Sequence, residues 1–468
     1  MDNKTALLSI NEMSQADALA ISAGVPEPEL MNNAGTAVAN VIMARWSEQP
    51  VVVLCGPGKN GGDGYVVANK LNASGWRARA VAFDALCATA LGDATMVVDA
   101  IFGAGLSRKI DGQAKLTLNA AADKKLIIVA IDVPSGVIGD SGEDLGAIPA
   151  DVTVTFFRKK PGHLLLPGRK LCGETIVCDI GISPNVLTSM KPSIFENHPL
   201  LWQSALPNTN DNDNKYKRGH ALIYGGYPLT GASRLAAHAA ARIGVGLTTI
   251  AVPEIALSIY ASGLMSIMIK PLQNRDSIST LLADRRFSGF LVGPGAGVGE
   301  ETKSIALQML VTKKPLVIDA DAITSFKDQP MLLFQSIAGP CVLTPHEGEF
   351  ERIFAITGDK LKRARQAAKQ SGAIVILKGS DTIIANPDGR AVINSNAPAS
   401  LATAGSGDVL SGMILGLLSQ GMEPFLASCA AVWMHGAAAK LFGIGLVADD
   451  LPGLLPRVRS SIEAISST

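Results

Sequence analysis

Short, uninterrupted runs of β-branched and other apolar residues recur along the chain, and most of them stop at a glycine or an aspartate. In the first half they are VVVLC (51–55), ARAVAFD (78–84), TMVVDAIF (95–102), LIIVAID (126–132) and VTVTFF (152–157). Most of these runs lack polar alternation, so both faces of each strand must be covered. Helical patterns lie between them, the first expected near 64–74. Strand and helix in alternation predict parallel βαβ units, an α/β fold with ligand loops at the carboxyl ends of its strands. The 47 glycines and an aromatic content of only 5% suit the many tight strand-to-helix turns of such a fold.

The pattern breaks once, at LPNTNDNDNKYKRGH (206–220), where Pro, Asn, Asp and Lys replace any apolar period. The break predicts an exposed linker and two domains, 1–207 and 208–468. Beyond it the runs restart as HALIYGG (220–226), LTTIAV (247–252), GFLVGPG (289–295), PLVIDAD (315–321), CVLTP (341–345), AIVILKG (373–379) and DTIIAN (381–386). A helix is expected from about 231, and two apolar helices close the chain at 407–421 and 425–443. The apolar stretch 426–448 is interrupted by His435 and Lys440, so it predicts a buried helix rather than a membrane span.

Lys+Arg and Asp+Glu are both 41, a balance that calls for neither nucleic acid nor an anionic membrane as partner. The six cysteines form no CxxC pair and mostly sit in apolar runs, as reduced core cysteines of a cytosolic protein do. MDNKTALLSI has neither a basic n-region nor an apolar h-region, so no signal peptide is expected and the cytoplasm is the expected compartment.

The densest chemical signal of the first half is CGPGKNGGDGY (55–65), which follows a buried strand and opens a helix. That geometry offers backbone N–H groups and a positive helix end to an anion. Gly56, Gly58 and Gly61 match GxGxxG, and Asp84 stands where a dinucleotide-binding fold keeps its ribose-binding acid. A tight βα turn without a ligand is the plainer alternative, but the glycines continue through Gly62 and Gly64. Two further strand ends carry polar tips: Asp99 before a glycine-rich loop with Arg108, and Asp132, Pro134 and Ser135. GxSxG is absent, so Ser135 is no nucleophile elbow. Asn60, Asp99, Asp132 and Ser135 can thus converge on one crevice, although each aspartate alone reads equally well as a cap or turn former.

In the second half, LATAGSGDVLSGMILG (401–416) sets a glycine-rich turn, Ala404 to Gly407, before an apolar helix with Asp408 in its first turn. Backbone N–H groups there can stabilise a transferring phosphoryl group, and Asp408 can accept the proton of an attacking hydroxyl. Alone, such an aspartate is equally a helix-start residue worth about 0.3–1 kcal/mol. It is accompanied by GGYPLTGASRLAAHAAARIGVG (225–246), VGPGAG (292–297), LTPHEGEF (343–350) and ILKGSDT (376–382). His346 precedes a helix expected at Glu347, and Lys378 ends a strand beside Gly379 and Thr382, a natural nucleotide-phosphate edge.

GPGKNGGDG, DAIFGAGL and DVPSG, in that order, resemble the NAD(P)HX epimerase family of the YjeF N-terminal type, over about residues 10–205. The resemblance implies a Rossmann-like αβα sandwich with potassium held by Asn60, Asp99 and Ser135. It also implies a dinucleotide substrate site of Lys59, Asn60, Gly61, Gly62, Asp63, Gly103, Ala104, Gly105, Leu106, Ser107, Arg108, Lys109 and Asp132. Lys59 replaces the family's usual asparagine. From about 215 onward, the TGA, GPG, LTPHxGE, LKGxxT and AGxGDVLxG elements resemble the ADP/ATP-dependent NAD(P)HX dehydratases of ribokinase-like fold. There the resemblance implies that Ala232, Gly295, His346 and Asp408 contact the hydrated dinucleotide. Lys378, Gly379, Ser380, Asp381, Thr382 and Gly407 would contact ADP or ATP, brought with Mg2+. NKYKRG and GGY depart from the family's HKG-like run and GGS.

The expected chemistry is epimerisation at C6 of NADHX or NADPHX, with Asp132 as the acid–base group. Phosphorylation of the C6 hydroxyl and elimination of phosphate follow, with Asp408 as the base. A homo-oligomer is expected. Two other readings stand beside this one. One is a small-molecule kinase with a regulatory nucleotide-binding domain, which predicts a stable phosphorylated product. The other is a non-enzymatic binding module in the first half.

Overall fold

The computed structural model describes residues 3–208 and 210–465. Its contacts divide the chain into two compact units: one spans Ala6–Phe195, and the other holds Glu196 onward with the first few residues. This division falls before 207/208, which corrects the linker-based boundary. By Leu206 the chain is already inside the second unit. Trp202 is fully buried there, its indole N–H donating to Asn197 Oδ1 (3.1 Å). Asn197 in turn donates to Asn394 Oδ1 (3.0 Å) and the Cys429 carbonyl (2.9 Å). The polar stretch therefore marks a surface loop within the second unit rather than its start; Thr209 lies outside the described residues.

The first unit is built on strands β1 (Ala6–Leu7), β2 (Pro50–Cys55), β3 (Arg77–Ala82), β4 (Met96–Ala100), β5 (Ile127–Ile131), β6 (Val152–Phe156), β7 (Glu174–Cys178) and β8 (Ile194–Glu196). β2 to β7 form one parallel sheet in the order β3-β2-β4-β5-β6-β7, and β1 pairs antiparallel with β8. β2 and β4 lie side by side but leave toward β3 and β5 on opposite sides, so their carboxyl ends flank a crevice, the usual ligand position in such sheets. Val52, Leu54, Val97, Ile128 and Ala130 pack with Leu118 and Ala121 of the helix Gly112–Asp123 on one face.

In the second unit, the strands are β9 (His220–Tyr224), β10 (Leu247–Pro253), β11 (Met268–Leu272), β12 (Gly289–Val292), β13 (Leu316–Ile318), β14 (Cys341–Leu343), β15 (Ile374–Leu377), β16 (Thr382–Ala385) and β17 (Ala391–Asn394). Their order is β11-β10-β9-β12-β13-β14-β15-β16-β17, parallel as far as β15, with β16 and β17 antiparallel. The helices Ser406–Ser419 and Pro424–Phe442 close the chain's apolar interior. Pro424–Phe442 is long and apolar enough to cross a membrane by composition, yet 67% of its apolar window is buried inside the protein. The expected buried helix is what forms.

One local expectation changes. The helix after β2 runs Lys59–Ala73, with Gly58 as its N-cap, so it begins about five residues before the expected 64. Residues 59–63 are its first turns, not an open loop. The glycines serve close approach: a Cβ on Gly61 would lie 1.8 Å from the Gly56 carbonyl oxygen, and one on Gly64 would lie 2.6 Å from Ala100 Cβ. They let a helix start directly against the strand ends.

Candidate active sites in the two units

In the first unit the carboxyl ends of β2, β4 and β5 open into a pocket of about 540 Å³. Lys59, Asn60, Asp63, Gly103, Ala104, Gly105, Leu106 and Asp132 line it, joined by Asp17, Phe102 and Lys160. Gly61, Gly62, Ser107, Arg108 and Lys109 stand outside this lining. Asp84 is exposed, away from the pocket, so it does not play the ribose-binding part considered for it.

Asp132 follows β5 with a left-handed backbone, φ +66°. Its carboxylate accepts hydrogen bonds from Lys160 Nζ, Thr155 Oγ1 (2.9 Å) and the Ala104 N–H (3.4 Å). Burial pushes its pKa up, but the charge and hydrogen bond of Lys160, with His163 and Thr155, outweigh it and hold the group below the ordinary carboxylate value. His163 supports the strained turn. Its Nδ1 accepts from the Lys160 N–H (2.9 Å), which leaves the proton on Nε2 to donate to the Asp132 carbonyl (2.8 Å). Burial lowers the His163 pKa to about 4, so the ring is neutral. Lys160 and His163 escaped the sequence reading because KKPGH follows β6 and carries no strand-end aspartate; two consecutive lysines look like a solvated face.

Beneath the 101–103 segment, Asp99 is buried and accepts from the Ser135 N–H (2.8 Å), Ser135 Oγ (2.6 Å) and the Ile101 N–H (3.2 Å). Ser135 Oγ also accepts from the Phe102 N–H (2.8 Å). Among the described residues no basic side chain reaches Asp99, and burial raises its pKa. Asn60 lies against Gly103, and its buried Nδ2 has no partner among the described residues. A buried carboxylate without a counter-charge, a hydroxyl and the nearby Asn60 amide oxygen are an oxygen set that fits a hard monovalent cation. Lys59, mostly exposed, is paired with Glu27 (2.5 Å) at the pocket rim.

In the second unit, Lys378 at the end of β15 is the centre of a charge cluster. Its Nζ donates to Asp319 Oδ1 (2.9 Å) and lies 3.7 Å from Glu349 Oε2. A Cβ on Gly407 would be 3.5 Å from it, so the turn before Asp408 faces this lysine. Burial raises the Asp408 carboxyl, helped by Asp319, Asp321 and Glu349 against Lys378, to a pKa of about 7. His346 is the N-cap of the helix Glu347–Ile353, in a reciprocal box with Glu349: the Glu349 N–H donates to His346 Nδ1 (3.2 Å), and the His346 N–H to Glu349 Oε2 (2.9 Å). Gly295, at φ +64°, belongs to a loop laid backbone on backbone against residues 226–232. A Cβ on it would meet the Leu229 carbonyl oxygen at 2.3 Å and Ala232 Cβ at 3.3 Å. Thr382 Oγ1 ties off the turn from Lys378 by donating to the Gly379 carbonyl (2.7 Å), and Asp381 is paired with Lys360 (2.6 Å). Ser380 lies in the same turn, between β15 and β16.

Asp319 and Glu349 were not singled out in the sequence, and His435 was read only as a break in an apolar stretch. Asp319 follows β13 in VIDAD, the same strand-plus-aspartate signal that marked Asp99 and Asp132, and Glu349 stands three residues after its cap histidine. His435 is buried, its Nε2 lacks a partner among the described residues, and burial, above the opposing Ser406 backbone, lowers its pKa.

A parallel sheet with carboxylates at a strand-end pocket in one unit, and in the other a sheet whose glycine-rich helix start carries a titrating aspartate and a buried lysine, define a two-unit α/β enzyme with one unit suited to phosphoryl chemistry. The model for NAD(P)H-hydrate dehydratase matches residues 221–449, and the model for the YjeF-related protein N-terminus matches 27–87 and 82–162. A bifunctional NAD(P)H-hydrate repair enzyme of Moorella thermoacetica is 34% identical over 98% of this chain and 97% of its own. One from Coxiella burnetii is 32% identical over 93% and 94%. Among solved structures, Bacillus subtilis YxkO of the UPF0031 family matches with a TM-score of 0.50 and 28% identity, covering 56% of this chain and 96% of its own. A Bacillus subtilis ADP/ATP-dependent NAD(P)H-hydrate dehydratase co-crystallised with ATP/Mg2+ matches with a TM-score of 0.49 and 28% identity, covering 56% and 95%. The chain belongs to the bifunctional NAD(P)H-hydrate repair enzyme family.

Proposed function

We propose that the chain epimerises (R)- and (S)-NAD(P)HX in its first unit and dehydrates the (S) epimer in its second, at the expense of ADP or ATP. The observation that carries the reading is the presence of both motif sets, each folded into its own site, in one chain matched nearly end to end by repair enzymes. In NADHX the hydroxyl-bearing C6 adjoins N1. The N1 lone pair expels the hydroxyl once it is protonated, and water returns to either face of the ring. Asp132 is the acid–base group proposed for this step, held in place by Lys160 and His163.

In the second unit the Asp408 carboxylate takes the C6 hydroxyl proton, and the oxygen attacks the terminal phosphoryl group of the nucleotide. The N–H groups of the turn before Asp408, with Lys378, face the charge that develops. N1 then expels phosphate, and loss of a proton from C5 completes the reduced nicotinamide ring. A hydroxyl that leaves as phosphate needs no strong acid. Ala232, Gly295 and His346 are proposed to hold the dinucleotide, and Lys378 to Thr382 with Gly407 the nucleotide.

Potassium is proposed at the oxygens of Asn60, Asp99 and Ser135, where it would supply the counter-charge that Asp99 lacks. Mg2+ is proposed to arrive with the nucleotide. Among the described residues no three carboxylate, histidine or cysteine side chains are grouped to hold a metal, and magnesium commonly rides on phosphates and water. Cytoplasmic location and a homo-oligomer belong to the same reading. The free cysteines support the first, and the exposed Leu441, Phe442, Ile444 and Val447 support the second.

The test is to give the full chain mixed NADHX epimers and follow recovery of 340 nm absorbance with ADP and then with ATP, in potassium and in potassium-free buffer. Complete recovery with one nucleotide, slowed without potassium at the epimerisation step, is expected. Accumulation of a stable phosphorylated product would favour a simple kinase instead.

A further inference from the structure

Asp17, Glu27, Asp63 and Asp132 all line the first-unit pocket, and the surroundings of Asp132 and Asp63 are opposite. Asp132 collects three donors: Lys160 Nζ, Thr155 Oγ1 and the Ala104 N–H. Asp63 lines the same pocket from the first turns of the helix Lys59–Ala73, and among the described residues no donor reaches its carboxyl. The groups that face it are Asp17 from the helix Ile10–Ser22, Asp132 after β5, and Lys59 of its own helix. Lys59 is drawn outward to Glu27, and Lys160 is bound to Asp132. One carboxyl is solvated by the protein as an anion, and the other is left among like charges.

We propose, resting on the epimerase reading of this pocket, that Asp63 is a second catalytic residue: it carries the proton given to the leaving C6 hydroxyl, while Asp132 is the carboxylate that takes a proton from the returning water. Burial, then Asp132 and Asp17, push the Asp63 pKa up to about 8 against the pull of Lys59, so the acid form is available at neutral pH. In the forward step the Asp63 carboxylic acid protonates the hydroxyl, the C6–O bond breaks, and its electron pair leaves with water. The N1 lone pair forms an N1=C6 double bond. Water then adds to the opposite face of C6, the π pair returns to N1, and the proton released passes to Asp132. The enzyme is left with Asp63 ionised and Asp132 protonated, the state that runs the reverse epimerisation. Transfer of one proton from Asp132 to Asp63 resets it. Two groups of opposite protonation state let one pocket serve both faces of the ring.

The experiment measures epimer interconversion by chromatography, without nucleotide, on the full chain and on Asp63→Asn, Asp63→Glu, Asp132→Asn and Lys160→Met, each checked by thermal melt, from about pH 5 to 10. The wild-type kcat/KM should fall on the alkaline side near pH 8, as Asp63 loses its proton. Asp63→Asn should lose about 10²–10⁴-fold in rate and lose that alkaline limb, whereas Asp63→Glu, still an acid, should keep it. Asp132→Asn should lose about 10²–10⁴-fold in rate at every pH tested and keep the alkaline limb, because Asp132, held below the ordinary carboxylate value, is ionised throughout that range. A folded Asp63→Asn protein with the wild-type alkaline limb overturns the assignment. So does loss of that limb in Lys160→Met alone, which would make the lysine the acid. A wild-type chain that does not interconvert the epimers at all strikes the epimerase reading itself.

Discussion

Asp408 meets Asp319, Asp321 and Glu349 as like charges and Lys378 as their counterweight, and its pKa of about 7 follows from burial first and these neighbours second. A base with such a value is half in its working form at neutral pH, near the optimum for proton transfer. The sign is fixed by the role: only the carboxylate accepts the hydroxyl proton, so kcat for dehydration should rise as pH passes through about 7 and level off above it. Asp408→Asn keeps the shape and removes the base. Its kcat for (S)-NADHX at saturating nucleotide should drop about 10²–10⁴-fold, and the rise with pH should vanish. A folded variant with near-normal kcat would return Asp408 to a helix-start residue. Asp408 was legible in the sequence because a glycine-rich turn, an aspartate and an apolar helix are contiguous. Lys378 was legible as well, at the end of its strand, but its meeting with Asp319, Glu349 and Asp408 was not, because these come from distant segments that meet only at the strand ends. Asp132 was legible as an aspartate just past an apolar strand, and Lys160 was hidden because the KKPGH segment after β6 carries no such mark.

At the scale of elements, the apolar runs located most strands of both sheets, because a strand covered on both faces must be apolar throughout. ETIVC and MIKPL escaped notice. They form β7 and β11, which lie at sheet edges and leave much of their side-chain surface half-buried or exposed, so no apolar run marks them. The early start of the helix Lys59–Ala73 was hidden for a different reason. Glycine disfavours helix interiors, by about 1 kcal/mol relative to alanine, so KNGGDG reads as a loop. Here tertiary approach decides, since only glycine lets the helix start touch the Gly56 backbone. Gly61→Ala would regain helix propensity, but its Cβ would fall 1.8 Å from the Gly56 carbonyl oxygen, so the helix start must shift. The first unit should lose about 1–3 kcal/mol and most of its epimerisation, with (S)-NADHX dehydration by the same chain unchanged. Calorimetry and the two separate assays check this. Wild-type epimerisation in Gly61→Ala would show that the close approach is not needed.

For the whole molecule, the proposed reading gives each unit its own step, and an epimer released as free substrate by one chain should be usable by another. Phosphoryl transfer needs the C6 oxygen in line with the nucleotide and its proton at Asp408, and the two epimers point that oxygen to opposite faces of the ring. A site built for one face turns over one epimer. The full chain carrying Asp132→Asn should therefore recover 340 nm absorbance from mixed epimers only to the (S) share, then slow to the spontaneous rate of interconversion. The Asp408→Asn chain should recover almost none, yet still interconvert the epimers. Mixing the two variants should restore complete recovery, because each supplies the step that the other lacks through free substrate. The measurement is the amplitude and rate of the absorbance recovery for each variant and for the mixture, with nucleotide saturating. If the Asp132→Asn chain alone consumed both epimers at the wild-type rate, the second unit would not be stereospecific. If the mixture failed to complement while both proteins were folded, substrate would have to be handed between units of one chain, and the two sites could not be treated as independent.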